Sequence, residues 1–499
     1  LSLKFRRFQE IFVNFSDTAN RVGKHYSLLE SIGRGSDMIR VFKHYVPHTV
    51  LLLGIVDFVV LMFAAEAGWL LRIWQIGGEI DPEAARLPHM LTFAVTLQLA
   101  MVGVGVYGAD SLHALRVSVP RLFVSVSLAV LLLALIFFLV PAITFWRSNL
   151  LYAMLLALGG LGLLRVLFGR ALGGEIFKRR IVVLGAGSRA GRLEALALRE
   201  GAGFAVASFI SMADGPRSVK GAVKRSEIAN LSDHVVQLGA TEVVLALEER
   251  RNALPLADLL RVKTTGVHVT DLSSFLERET GRVDLDSLNP SWLIFSDGFQ
   301  GGRRLSSIGK RLFDLMVSAG LLLLAAPVIG ITALLIKLES PGPAFFRQKR
   351  VGLYGQSFEI IKLRSMRQDA EVGGVAVWAQ KDDPRVTRIG SIIRKLRIDE
   401  LPQAWSVLRG KMSFVGPRPE RPQFVADLEA RLPYYAERHM VKPGITGWAQ
   451  INYPYGASIE DARQKLEYDL YYAKNYTPFL DILILLLTLR VILWPEGAR

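Results

Sequence analysis

The 499-residue sequence contains no cysteine. That absence excludes disulfides, thiolate catalysis and cysteine zinc sites, and nothing in the chain demands an oxidising compartment. Its eight histidines are scattered without ligand spacing, so a histidine metal cluster is not expected. Acidic residues are sparse: 45 Asp and Glu stand against 60 Lys and Arg, a formal net charge of +15. Such a balance needs an acidic partner, and anionic lipid headgroups and a nucleotide pyrophosphate both qualify. Nucleic acid is the competing partner, but no nucleic-acid fold signature is present and the first half of the chain is too apolar for that role.

Hydrophobic residues make up 51% of the chain. They gather into runs over about Val50 to Trp74, His89 to Tyr107, Leu122 to Val140 and Leu150 to Phe168, each near the roughly 20 residues that cross a bilayer. We read four transmembrane helices forming a bundle over 47–170, behind a basic segment 1–46 carrying Arg6, Arg7, Arg21, Lys24, Arg34, Arg40 and Lys43. No cleavable signal peptide is expected, because the first apolar run begins after that segment. Arg116, Arg121, Arg170, Lys178, Arg179 and Arg180 follow the second and fourth runs, which places both ends of the bundle in the cytoplasm. Trp69, Trp74 and Trp146 suit the membrane interfaces. Asp57 and Glu66 are intramembrane acids, a functional signal by default, though positions near helix ends facing the bundle explain them equally well.

From Arg180 the chain reads RIVVLGAGSRAGRLEALALRE: a short apolar strand, a glycine-rich turn with Gly185, Gly187 and Gly191, then a helical pattern. Further strands are expected at Phe204 to Ser211, Glu242 to Leu247 and Gly266 to Leu272. The glycine spacing departs from the dinucleotide fingerprint, and the second strand ends without an acid to grip a ribose. A membrane-anchored nucleotide-sugar epimerase or dehydratase is the natural rival function. Such enzymes need a catalytic tyrosine, and there is none from Ile181 to Gln300. The span 178–300 therefore reads as a degenerate Rossmann-like α/β domain without redox chemistry, used for assembly or regulation.

The stretch RKLRIDELPQAWSVLRGKMSFVGPRPE, Arg394 to Glu420, brackets the pair Asp399-Glu400 with Arg394, Lys395, Arg397, Arg409, Lys411 and Arg418. Adjacent carboxylates can hold a hard divalent cation such as Mg2+, and guanidinium groups around them can hold the phosphates it bridges. Asp399 also has the chemistry of a nucleophile toward phosphorus. On spacing alone a simpler reading stands beside this one, a helix cap with a solvated basic face. Arg418 lies between Pro417 and Pro419 on a stiff backbone. Lys362 and Arg364 alternate on a strand pattern and could share one face.

From Lys310 onward the chain resembles the polyprenyl-phosphate hexose-1-phosphate transferases, or monotopic phosphoglycosyl transferases. The motifs are KRLFDL (Lys310 to Leu315), SPGPAFFRQKRVG (Ser340 to Gly352), FEIIKLRSM (Phe358 to Met366), DPRVTRIG (Asp383 to Gly390), DELPQ (Asp399 to Gln403), SFVGPRPE (Ser413 to Glu420) and KPGITGWAQIN (Lys442 to Asn452). NYPYGAS, Asn452 to Ser458, stands where some relatives carry a glycine-arginine pair, so the sugar choice of those relatives is not carried over.

The expected architecture is an integral membrane protein of mixed α and α/β class, with a monotopic catalytic domain over 308–499. Its apolar helix, 310–339, contains Pro327. A kinked spanning helix is the simpler reading of that stretch, but basic residues at both ends favour a re-entrant hairpin bent at Ala326-Pro327, as the resemblance also implies. Pro478 to Trp494 reads as an interfacial helix. The resemblance implies transfer of hexose 1-phosphate from a UDP-sugar, with glucose or galactose as the sugar, to undecaprenyl phosphate at the cytoplasmic face of the bacterial inner membrane. UMP would leave, and an extracellular or capsular polysaccharide would be initiated. It implies Asp399 as nucleophile, Glu400 as base or magnesium ligand, and Lys362, Arg364, Arg397 and Arg418 as phosphate or nucleotide contacts. Inner-membrane lipids and a second copy in a homodimer are the implied partners, with no nucleic acid. A non-catalytic scaffold for polysaccharide assembly is the remaining alternative.

Overall fold

The computed structural model describes residues 38–41, 44–77, 86–108, 115–172, 178–199, 202–212, 218–248, 254–288, 304–367, 385–454, 456 and 458–493. Most of the basic N-terminal segment, Asp383 and Pro384 of DPRVTRIG, Tyr455 and Ala457 of NYPYGAS, and Trp494 lie outside them.

A short antiparallel hairpin, β1 (Met38–Val41) and β2 (His44–Pro47), leads into α1 (His48–Ile76). Then come α2 (Leu87–Val104), α3 (Leu115–Leu139) and α4 (Arg147–Leu172). Each contains a stretch long and apolar enough to cross a membrane, within a few residues of the runs read from sequence. They meet on a shared apolar cluster that includes Leu61, Phe93, Leu97, Leu133 and Leu161. Leu131, Phe138 and Leu163 remain exposed on the outside, a distribution suited to lipid. Both intramembrane acids have partners. Asp57 takes two bonds from Arg165, at 2.7 and 3.2 Å, and one from the Tyr107 hydroxyl at 2.8 Å. Glu66 takes Arg86 at 2.8 Å.

The next unit is a five-stranded parallel sheet, β3 (Arg179–Leu184), β4 (Phe204–Ser211), β5 (Val223–Lys224), β6 (Glu242–Leu245) and β7 (His268–Asp271), in the order β5-β4-β3-β6-β7. Helices α5 (Ser188–Ala197), α6 (Leu231–Gln237), α7 (Leu256–Thr264) and α8 (Leu272–Thr280) accompany it. Alternation along β3 sends Ile181 and Val183 to one face with Phe204 and Phe275, and Val182 and Leu184 to the other with Leu231 and Val262. At the glycine turn, a Cβ on Gly187 would lie 2.4 Å from Glu248 Oε1. That carboxylate accepts from the Ser188 backbone N–H and hydroxyl, both at 2.8 Å. The start of α5, where a dinucleotide phosphate sits in working Rossmann domains, is thus filled from within.

The last unit starts with α9 (Arg304–Glu339), helical without interruption through Pro327. Strands β8 (Phe345–Val351) and β9 (Ser357–Leu363) form an antiparallel pair. They are followed by α10 (Arg388–Lys395), a 3-10 helix at Ile398–Gln403, α11 (Ala404–Leu408), β10 (Ser413–Val415) and α12 (Pro422–Arg431). Then β11 (Gly444–Thr446) pairs parallel with β10, and α13 (Trp448–Asn452), α14 (Ile459–Asn475) and α15 (Pro478–Leu493) are the last elements of the described residues. Trp448 belongs to the core: it stacks on Tyr471 and donates to Gly281 O at 2.7 Å. Helix α15 lies against the end of α2, where a Cβ on Gly103 would come 3.2 Å from Leu486 O.

Candidate active site

Both ends of α9 are tied to one lobe. At its start, Arg311 donates to Val407 O and Leu408 O at 2.7 Å, and buried Asp314 accepts from Ser413 Oγ and Phe414 N at 3.0 and 2.9 Å. Lys310 reaches Asp481 at 2.5 Å. At its end, Glu339 accepts from the backbone N–H groups of Arg388 and Ile389 at the start of α10. Thr387 caps the same helix through Gly390 N–H at 2.9 Å. The quoted motifs KRLFDL and TRIG are therefore anchoring devices around the acidic pair.

The Arg418 segment is fixed by more than its prolines. Four successive carbonyls are held: Pro417 by Gly444 N–H, Arg418 by Arg438, Pro419 by Arg350 and Glu420 by Val351 N–H, all at 2.9 or 3.0 Å. Gly416, Gly444 and Gly447 allow this crossing of chains, because a Cβ on any of them would come within 2.2 Å of backbone. Arg438 is itself gripped by Asp469 at 3.0 and 2.7 Å and by the Tyr435 hydroxyl at 3.1 Å.

Against this frame stand the two carboxylates of the 3-10 helix. Glu400 Oε1 accepts from Lys362 and from Arg418, each at 3.2 Å, with Arg397 at 3.8 Å. Burial alone would raise this carboxyl, but Lys362, Arg418 and Arg397 outweigh it and hold it well below the usual range. Asp399 moves the other way: burial and then the Glu400 charge raise it, against Lys362, Arg394 and Arg397. Burial also lowers the Lys362 ammonium, against the pull of Glu400. A small cleft opens beside the pair, lined by Arg350, Ile360, Lys362, Gln403, Arg418, Pro419, Gly444 and Ile445.

A family model described as bacterial sugar transferase matches residues 305–495. A UDP-glucose:undecaprenyl-phosphate glucose-1-phosphate transferase of Caulobacter vibrioides is 45% identical over 193 residues, 38% of this chain and 71% of the relative. The chain belongs to the bacterial sugar transferase family. It is also 45% identical over 241 residues to a UDP-N-acetylgalactosamine-undecaprenyl-phosphate N-acetylgalactosaminephosphotransferase of Aeromonas hydrophila, covering 48% of this chain and 56% of that one. With an undecaprenyl-phosphate glucose phosphotransferase of Komagataeibacter xylinus it shares 47% identity over 194 residues, 38% of this chain and 36% of the relative. The chain thus spans about half, or less, of the length of these last two relatives.

In this bacterial sugar transferase, Lys362, Arg397 and Arg418 converge on Glu400. Arg364 is not among them. Its guanidinium is buried on Ser340 O, Ser340 Oγ and Pro341 O at 2.7 to 2.8 Å, where it ties down the turn after α9. Lys362 and Arg364 diverge because β9 ends at Leu363 and the strand alternation stops between them. Sequence reasoning missed Arg438, Asp469 and Gln403. Asp469 had a signal: it falls on the Leu466 and Leu470 side of a helix, and a buried acid there requires a cation.

Among the described residues no cluster of three metal-ligating side chains exists. Two carboxylates still suit magnesium, which takes few protein ligands and completes its shell with water and phosphate oxygens. Lys362 and Arg418 both use Glu400 Oε1. Among the described residues, no donor hydrogen-bonds Glu400 Oε2 or the Asp399 carboxylate, leaving acceptor-only oxygens for such an ion.

Proposed function

We propose that the protein transfers a hexose 1-phosphate from a UDP-sugar to undecaprenyl phosphate, yielding undecaprenyl-diphospho-sugar and UMP and initiating a bacterial surface polysaccharide. The observation that carries this reading is the contrast between the two carboxylates. Glu400 is neutralised by three cations, while Asp399 lies beside it with no hydrogen-bond donor among the described residues. An Asp399 oxygen attacks the sugar-bearing phosphorus, the bond to the UMP oxygen breaks, and the sugar phosphate stays on the carboxylate. An oxygen of undecaprenyl phosphate then attacks that phosphorus and frees Asp399. Lys362, Arg397 and Arg418 hold diphosphate charge in place. Magnesium, held by Asp399 and Glu400, would supply charge neutralisation to the diphosphate. The names of the relatives, which specify glucose or N-acetylgalactosamine with undecaprenyl phosphate, support the substrate class.

The lobe takes a cytoplasmic position in this reading, below a four-helix bundle over 47–170. A straight α9 of 36 residues would extend about 54 Å, enough to cross a bilayer. Arg311 and Asp314 at one end and Glu339 at the other all bind the same lobe. Crossing would put that lobe on both sides of the membrane, which supports a helix that enters and returns, turning near Pro327. The sheet unit, 178–300, serves assembly, in a homodimer, or regulation; its lack of a catalytic tyrosine and the filling of its glycine turn by Glu248 argue against redox work.

The test is nucleotide release by the purified full chain with undecaprenyl phosphate, magnesium and a panel of UDP-sugars, beside Asp399→Asn. UMP formed with one sugar and lost in the variant is the expected result. UDP as product means glycosyl transfer without its phosphate and overturns the mechanism. Absence of any nucleotide product would favour a scaffold.

A further inference from the structure

Gln403 closes the DELPQ motif and has no part in the chemistry above. It sits at the end of the 3-10 helix that carries Asp399, is only 4% exposed, and lines the cleft beside Lys362 and Arg418. Among the described residues no group hydrogen-bonds its carboxamide, and the amide atoms are not sealed in the core but open on the cleft. A carboxamide that opens on the cleft without a protein partner has its donor and its acceptor available to whatever enters. Its neighbour Arg350 is already committed, to Pro419 O at 3.0 Å and to Gln348 at 2.6 Å.

The lining of the cleft narrows what that ligand is. Lys362 and Arg418 offer donors alone, matched to phosphate oxygens, which only accept. The carboxamide offers a donor and an acceptor side by side, so it adds something no phosphate needs: a place for a ligand N–H or O–H. Ile360, Pro419 and Ile445 line the same cleft. A ligand edge with an adjacent acceptor and donor answers the carboxamide, and the imide edge of uracil is such an edge.

We propose that Gln403 is the base-reading residue of the nucleotide-sugar site: its Nε2 donates to a uracil carbonyl and its Oε1 accepts from the uracil N3–H. The assignment rests on the proposed use of a UDP-sugar, and it adds which residue recognises the nucleotide.

The probes are UMP and its N3-methyl analogue, which lacks the imide donor, with binding measured by calorimetry on the full chain in detergent. Gln403→Leu and the near-isosteric Gln403→Glu are compared with the parent, each also made on Asp399→Asn so that turnover plays no part. In the parent, N3-methylation and Gln403→Leu should each weaken binding about tenfold to a hundredfold, the discrimination of a bidentate amide–base pair. Combined, they should cost little more than either alone, because each removes the same contact. Gln403→Glu should retain the fold and weaken UMP by losing the donor to the uracil carbonyl, while keeping a preference for UMP over its methyl analogue because the carboxylate still accepts from N3–H. Unchanged UMP affinity in the Gln403 variants, or full additivity of methylation and substitution, overturns the proposal. So does a variant that weakens the UDP-sugar but not UMP, since the contact would then be to the hexose. UMP binding that depends on Gln403 in a protein that transfers no sugar phosphate would leave this assignment standing while the reaction fails.

Discussion

Replacing Arg438 tests how the site is held rather than what it does. The guanidinium makes two bonds to Asp469, one to the Tyr435 hydroxyl and one to Arg418 O, and both members of the ion pair have side chains 5% exposed or less. Removing one partner of such a pair strands the other charge and costs about 3–5 kcal/mol. Arg438→Met and Asp469→Leu should each fall in that range. At about 2–4 °C per kcal/mol for a unit of this size, melting should drop by roughly 6–20 °C. The double variant leaves no stranded charge, so it should recover about 2 kcal/mol or more relative to the sum of the single losses. Burial raises the Asp469 carboxyl and Arg438 opposes that rise, so Arg438→Met should look milder at low pH, where Asp469 can take a proton. Tryptophan fluorescence on heating reads the stability, and the KM for UDP-sugar reads the loosening of Arg418. Additivity within about 0.5 kcal/mol would falsify the view that Asp469 acts through Arg438.

The adjacent carboxyls should respond oppositely to neutralisation. Asp399 is raised in the folded chain, so its ionisation costs stability once the unfolded chain has ionised; Asp399→Asn should melt higher at pH 7 while losing all turnover. Glu400 is depressed, so its contribution is present above the unfolded carboxyl range and fades as pH falls; Glu400→Gln should melt lower at pH 7, with the gap closing in acid. Gly390→Ala places a Cβ 1.9 Å from Ser365 O and should cost about 3 kcal/mol or more, whereas Gly309→Ala meets nothing within 4 Å and should change melting little. Within the membrane unit, Arg165→Ala strands Asp57 among apolar helices; reduced yield of folded protein is expected, restored in part by pairing it with Asp57→Asn.

The long apolar runs were legible because a bilayer imposes length and composition that few other environments demand, and the first four helices fall where those runs do. Strands Phe204–Ser211 and Glu242–Leu245 were legible because a parallel sheet covered on both faces reads as continuous apolar sequence. The crowding of bases around Asp399-Glu400 was visible too. What one-dimensional spacing does not carry is direction. Arg364 lies two residues from Lys362, yet the strand ends between them and its guanidinium turns back to the turn after α9. Arg438 and Asp469 are 31 residues apart and become neighbours only when α14 packs beneath the Arg418 segment. Their partnership is a property of packing, and no short motif announces it.

The same packing explains why a chemically simple site needs so long a chain. Charge stabilisation works when cations are already in place, since cations that must move into position spend part of their effect on reorganising. Here Arg418 is fixed through four consecutive backbone carbonyls that draw on β8, β11 and Arg438, itself held by Asp469 of α14, and Lys362 is fixed by the β8 and β9 pair. Helix α15 adds the height reference. Its Arg490 packs against Gly105 at the end of α2, its Thr488 contacts Thr446 on β11 at 2.8 Å, and its Asp481 holds Lys310 at the start of α9. A shift of α15 against the membrane helices therefore moves β11, and with it the carbonyl anchors of Arg418. A bulky residue at Gly103, where a Cβ already comes 3.2 Å from Leu486 O, should lower turnover with the lipid acceptor more than it weakens UMP binding. Equal loss of both would mean that the lobe is deformed rather than displaced, and would refute α15 as the element that sets its position.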